Sequence, residues 1–322
     1  MACLQCCYNV VSIVGQTTDR CAPFRKRLAA FAGELRGLHE GDIEAVHRAR
    51  VASRRIREIL PLLELDRETT RQLSRRLRNV TRRLGSVREL DVLTLLMAEL
   101  QGCREYSTVA LDTLRRAVSR DRAAARERLA AKLPMAKLER LTHRLEQAAA
   151  HLESDDAKGR SLRTRPKHAW LWALDARLGR RAASLLSTIE AAGSLYQCER
   201  LHDIRIALKK LRYTAELSTE AGRRQWRHEI ETLKATQELL GRLHDLQVLL
   251  ARGHEAQATF TPGDPTAVHM GSLVFAVEAD CRQLHARYMR NRTTLVAITN
   301  RMRTGTLTEQ LARPLVAAAF RR

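Results

Sequence analysis

A chain of 322 residues with 44% hydrophobic and 29% charged side chains can bury a sizeable core, which excludes a disordered chain. Its 57 Lys and Arg against 36 Asp and Glu leave a net charge of +21, a surface that draws nucleic acid, inorganic polyphosphate, anionic lipid or acidic protein. Aromatic residues make up only 4%, which counts against single-strand nucleic-acid binding because that needs stacking platforms.

Residues 1–18 carry no charged side chain. Gln5, Asn9, Ser12 and Gln16 interrupt the run and no positive residues precede it, so it reads as an extension rather than a secretory signal. No stretch approaches the ~20 apolar residues of a membrane span, and the chain is expected to be soluble and cytoplasmic. Cys3, Cys6, Cys7, Cys21, Cys103, Cys198 and Cys281 form no regular framework, which fits a reducing compartment. Cys3 and Cys6 make a CxxC without a second pair at zinc spacing, so neither metal nor cofactor is expected.

From Asp19 to Leu38 the period predicts one helix, with Pro23 in its opening turns and Phe24, Leu28, Phe31 and Leu35 on its apolar stripe. Gly41 and Asp42 break and recap the chain before VHRARVASRRIREILPLL, residues 46–63. On a helix this stretch gathers Val46, Ala49, Ser53, Ile56, Leu60 and Leu63 on one stripe. His47, Arg50, Arg54 and Arg57 share an adjoining face about 15 Å long, too long for one phosphate and suited to an extended polyanion. Like charges so spaced cost roughly 0.2–0.5 kcal/mol per pair, so the face calls for a compensating partner. Glu58 could supply part of it, and a solvated face is the competing reading.

The next helix starts near Asp66 and carries Arg75, Arg78 and Arg82 on one face; Gly85 predicts a break or kink before VRELDVLTLLMAEL. Residues 103–152 are helical with an interruption at Pro134, and 153–167 read as a linker. The chain then restarts, with a helix over 168–192 followed by LHDIRIALKKLRYTAEL. There His202, Arg205, Lys209 and Arg212 repeat the first spacing beside Leu201, Ile204, Leu208, Leu211 and Ala215. Gly222 opens a third helical stretch, TPGDP at 261–265 is a loop, and a long helix runs from about Thr266 to Met302, leaving 303–322 as a tail.

No segment alternates as a strand would, and the expected fold is all-α. LGSVRELDVL at 84–93 corresponds to LGRLHDLQVL at 240–249, each at nearly the same distance after its ladder. Two aligned motif pairs imply an internal duplication of about 155 residues, hence two pseudo-symmetric antiparallel four-helix bundles, 19–152 and 168–302, with the ladders lining one groove. Duplication of the ladder favours binding over mere solvation. Glu89, Asp91 and Asp245 are read as partners of arginines that fix the helix break, in preference to metal ligands or an acid and base.

These residues resemble the CHAD domain, the conserved histidine α-helical domain. Its members carry His-x-x-Arg-[Val/Ile]-x-x-[Arg/Lys]-[Arg/Lys]-x-Arg in each half, followed by a Leu-Gly-x-x-[Arg/Asn]-Asp-x-Asp-like motif. Here HRARVASRRIR (47–57) precedes LGSVRELD (84–91), and HDIRIALKKLR (202–212) precedes LGRLHDLQ (240–247). The resemblance spans roughly residues 20–305. It implies a basic groove that binds inorganic polyphosphate without catalysis, in a stand-alone module that could sit on polyphosphate granules. It assigns phosphate contacts to His47, Arg50, Arg54, Arg55 and Arg57, with Arg75, Arg78 and Arg82 along the first wall. Across the groove it assigns them to His202, Arg205, Lys209, Lys210 and Arg212, with Lys234. Glu231 and Glu238 stand where the first wall has Arg75 and Arg82, so the second wall should be weaker. A triphosphate-tunnel domain, which many relatives add, would need an ExExK segment that this sequence lacks, and there is no GxxxxGK, GxSxG or HExxH motif. A nucleic-acid binder using the same surface is the alternative function.

Overall fold

A computed structural model describes residues 19–157, 169–261 and 263–319; the expected extension 1–18 and most of the expected linker lie outside them. The fold is all-α, and the described residues contain no strand. Helix α1 (Cys21–Ala32) starts where the Asp19 carboxylate accepts the backbone N–H groups of Cys21 and Ala22. The single helix expected to Leu38 instead divides at Gly33, and α2 (Leu35–Glu40) leaves at a new angle. The turn sets Gly37 against Ala45, where an added Cβ would meet the Ala45 Cβ at 2.6 Å. Gly41 then adopts φ 76°, and Asp42 caps α3 (Ile43–Ile59) by accepting from the N–H groups of Glu44 and Ala45.

A 3-10 turn (Leu60–Leu62) leads to α4 (Arg67–Gln101), which runs unbroken through Gly85 where a kink was expected. The rest of the first half is α5 (Thr108–Lys132) and α6 (Met135–Ala157), parted at Pro134. Helix α6 therefore takes in the first residues of the expected linker. The second half comprises α7 (Ala169–Ala192), α8 (Cys198–Glu220), α9 (Arg227–Gln257) and α10 (Pro265–Ala319), the last continuing as helix past the expected end at Met302.

Burial follows the apolar period. Val46, Ala49, Ser53, Ile56, Leu60 and Leu63 on the first ladder, and Leu201, Ile204, Leu208, Leu211 and Ala215 on the second, are all 0–4% exposed. Each such Leu or Ile contributes roughly 1.5–3 kcal/mol, so the apolar stripe fixes the rotation of its helix and with it the direction of the cationic face. Ser53, the polar member, is satisfied: its Oγ lies 2.9 Å from the Arg50 carbonyl and 2.8 Å from Thr81 Oγ1, pinning α3 to α4.

Helices α7, α8, α9 and α10 close a ring in which each packs on the next and α10 returns to α7. In the first half α1 packs on α3, α3 on α4, α4 on α5, and α6 returns to α1 and α2. The halves meet through α3 with α8, α4 with α9 and α5 with α10, the first two pairs being the helices that carry the matching ladders and Leu-Gly motifs. Ion pairs cross the same interface: Glu58 with Arg177 and Arg181 at 2.8 and 3.0 Å, Glu99 with Arg242 at 2.7 Å, and Asp121 with Arg252 at 2.7 Å. Among the described residues no helix is long and apolar enough to cross a membrane.

Candidate anion-binding cleft

Helices α3 and α8 meet with their apolar stripes buried in one continuous core, and their cationic faces open onto a shared cleft of about 390 Å³. Arg50, Arg54 and Arg57 line it from α3, and His202, Arg205, Lys209 and Lys210 from α8. Helices α4 and α9 add Arg88 with Glu89 and His244 with Asp245, residues at matching places in the two Leu-Gly motifs. Among the described residues none of the five cations Arg50, Arg54, Arg88, Arg205 and Lys209 has an ion-pair partner within 4.0 Å. The Nε atoms of Arg50 and Arg205 and the Nη1 of Arg88 are buried without a hydrogen-bond partner. Buried donors of this kind are costly unless something accepts from them.

The titration of the cleft carries the same imprint. Burial first, then the charges of Arg205, Arg54 and Arg50, lowers the Lys209 ammonium to about 6. Burial and then Arg54 and Arg205 bring Arg50 down to about 10. His244 falls to about 4, through burial and then Arg205 and His202, whose ring lies 4.9 Å from its own. Burial also lowers His202, with Arg205 and Lys209 next. The Asp245 carboxyl is raised by burial despite Arg205 and Lys209 nearby, and makes no ion pair within 4.0 Å. An anion in the cleft would accept from the bare donors and return Lys209 and the imidazoles towards their protonated forms.

Gly85 has a use other than a break. A Cβ there would come within 3.3 Å of Arg50 Nε, so the bare backbone of α4 lets that guanidinium lie flat against it. Gly241, its counterpart on α9, has nothing within 4 Å. Asp91 is fully buried, with Arg122 at 2.6 Å and Arg126 at 3.5 Å; Arg126 also donates to the Gly41 carbonyl at 2.7 Å. Of the three carboxylates expected to pair with arginine Asp91 does so, bracing the turn before α3, whereas Glu89 and Asp245 have no ion-pair partner within 4.0 Å among the described residues. Gln247 at the matching place accordingly reaches the Tyr196 hydroxyl at 3.0 Å, in the connection before α8.

Not every residue assigned from sequence lines the cleft. Arg55 and Arg212 are both held by Glu216, Arg55 at 3.0 Å, and Arg212 also donates to Gln237 at 3.0 Å. Their guanidinium carbons stand 5.5 and 4.8 Å from the Tyr213 ring centroid. His47 lines a separate depression between α1 and α3, burial lowering its imidazole, with the charge of Arg88 next. Arg75, Arg78 and Arg82 line an outer depression on α4, which adjoins the cleft because Arg57 feels the charge of Arg78. Lys234 is exposed and lies 3.9 Å from Glu238. Sequence reasoning missed Arg88 and His244 as cleft-lining residues, although both occupy the fifth place of the quoted motifs. Among the described residues no three His, Cys, Asp or Glu side chains are grouped to hold a metal ion.

A family model described as the CHAD domain matches residues 22–254. The solved CHAD domain from the plant Ricinus communis is similar in fold, with a TM-score of 0.55 and 21% identity over 89% of each chain. PptA from Streptomyces chartreusis is also similar, with a TM-score of 0.50 and 19% identity over 91% of this chain and 99% of its own. No curated protein matches the chain.

Proposed function

The chain belongs to the CHAD domain family, and from that premise we propose that its cleft binds inorganic polyphosphate and does not cleave it. The observation that carries the reading is the convergence of Arg50, Arg54 and Arg88 from one half with Arg205 and Lys209 from the other, all without an ion-paired carboxylate. Guanidinium groups take phosphate oxygens in bidentate, charge-assisted hydrogen bonds, and an ammonium adds a compact charge. A linear polymer with an anion on every unit suits donors spread along two helices better than a single phosphate does.

A cytoplasmic role at polyphosphate granules follows as the setting we propose. The one aromatic side chain lining the cleft apart from its histidines is Tyr213, and it is flanked by the guanidinium groups of Arg55 and Arg212. A base would find no open ring to stack on, which favours polyphosphate over single-stranded nucleic acid. Replacing Arg50, Arg54, Arg205 and Lys209 together with Ala should abolish binding of long-chain polyphosphate in a variant that keeps its helical circular dichroism. Unchanged affinity would refute the assignment. Displacement of polyphosphate by RNA or duplex DNA at equal phosphate concentration would hand the cleft to nucleic acid, and metal-dependent release of orthophosphate would make it a hydrolase.

A further inference from the structure

Along α8 the cleft lining ends at Tyr213, and one carboxylate stands about one turn beyond it. Glu216 accepts from Arg55 across the interface at 3.0 Å and from Arg212 one turn back on its own helix. Tyr213 fills the space between those two guanidinium groups. On the far side of the contact each cation of α1 and α3 is likewise matched. Arg27 and Lys26 reach Glu220 at 2.7 and 3.5 Å, and Arg48 reaches Glu34 at 2.8 Å. Carboxylates of the chain therefore neutralise the basic surface outside the cleft there, whereas Arg50, Arg54, Arg205 and Lys209 inside it stay bare.

Resting on the polyphosphate reading above, we propose that Glu216 is a specificity-determining residue that ends the polyanion track. By occupying Arg55 and Arg212 it holds two cations of the ladders out of the binding register, so that a chain running on past Tyr213 finds their donors already taken. A polymer is thus confined to the cleft and to the α4 side, where Arg57 adjoins Arg78. The two ladders differ here: Arg57, at the place that Arg212 holds in the second ladder, has no ion-pair partner within 4.0 Å among the described residues.

The test is the substitution Glu216→Gln, read by titration of long-chain polyphosphate and of tripolyphosphate. Freeing both guanidinium groups should tighten the long chain about tenfold and steepen the slope of log affinity against log salt by about 0.7 for each phosphate newly contacted. Tripolyphosphate, which the cleft already encloses, should change less than threefold. Adding Arg212→Gln to Glu216→Gln should remove most of the gain. If the Gln variant fails to fold, Glu216→Ala removes the same carboxylate without placing an amide between two cations. Equal or weaker binding of the long chain by a folded Glu216 variant, with the parent binding normally, overturns this inference alone. A parent that binds no polyphosphate overturns the proposed function and this inference with it.

Discussion

Filling the cleft should take up a proton at Lys209. In the open cleft that ammonium titrates at about 6, against an ordinary 10.5, with Arg50 and Arg54 facing it from α3, Arg205 from its own helix, and His244 and Asp245 from α9. A line of phosphates against it raises the value again, so the bound state holds a proton that the free state lacks above pH 6. Affinity must then fall as pH rises: each unit above 6 costs up to a factor of ten, about thirtyfold between pH 7 and 8.5. Internal phosphates of a long chain do not titrate in that window, which keeps the change on the protein. Calorimetry in two buffers of different ionisation enthalpy should count about one proton at pH 8. Lys209→Arg keeps its charge throughout, so it should flatten the profile and bind more tightly than the parent at pH 8.5. A parent with no pH slope between 7 and 8.5, or an Arg variant with the parent's slope, would refute the reasoning.

The empty cleft should also be a source of instability, because between about pH 6 and 10.5 the unfolded chain binds a proton that the folded Lys209 lacks. Stability from this group therefore rises with pH across that window, and Lys209→Met should raise the melting temperature by several degrees at pH 6.5 and by less at pH 9. Gly85→Ala should gain up to about 1 kcal/mol of helix propensity yet weaken polyphosphate binding several-fold by pushing on Arg50, whereas Gly241→Ala should gain the same and leave binding alone. Thermal melts and titrations on the two variants separate those effects. Asp91→Asn should cost about 3 kcal/mol or more in denaturant unfolding, since it leaves Arg122 and Arg126 without their buried carboxylate.

Much of this architecture is legible from spacing alone, and the reason is geometric. Residues 3.6 apart share a helix face, so the stripes from Val46 to Leu63 and from Leu201 to Ala215 had to be buried together, and the cations beside them had to flank a core. What spacing cannot reach is a partner on another helix. Glu216 sits four residues after Arg212 and could be paired with it on paper, but its hold on Arg55 depends on how α3 and α8 pack. Arg122 and Arg126 lie on a different helix from Asp91 in the same way. Glu58 looked able to neutralise its own ladder, yet Arg177 and Arg181 on α7 claim it. Gly85 misled because a glycine inside a helix marks either a weak point or a close approach, and only the position of Arg50 decides which. The division of the first helix at Gly33 left no periodic trace, since Leu35 and Leu38 keep the same apolar phase on either reading.

The two walls of the cleft come from different halves of the chain, and the bridges between those halves have consequences for its response to salt. Apolar side chains of both halves join in one continuous core, and at its surface the halves are tied further by bridges such as Glu99 with Arg242, the Glu99 side chain being 63% exposed. Electrolyte then acts twice, screening the grip on a guest and weakening the exposed bridges that tie one half to the other.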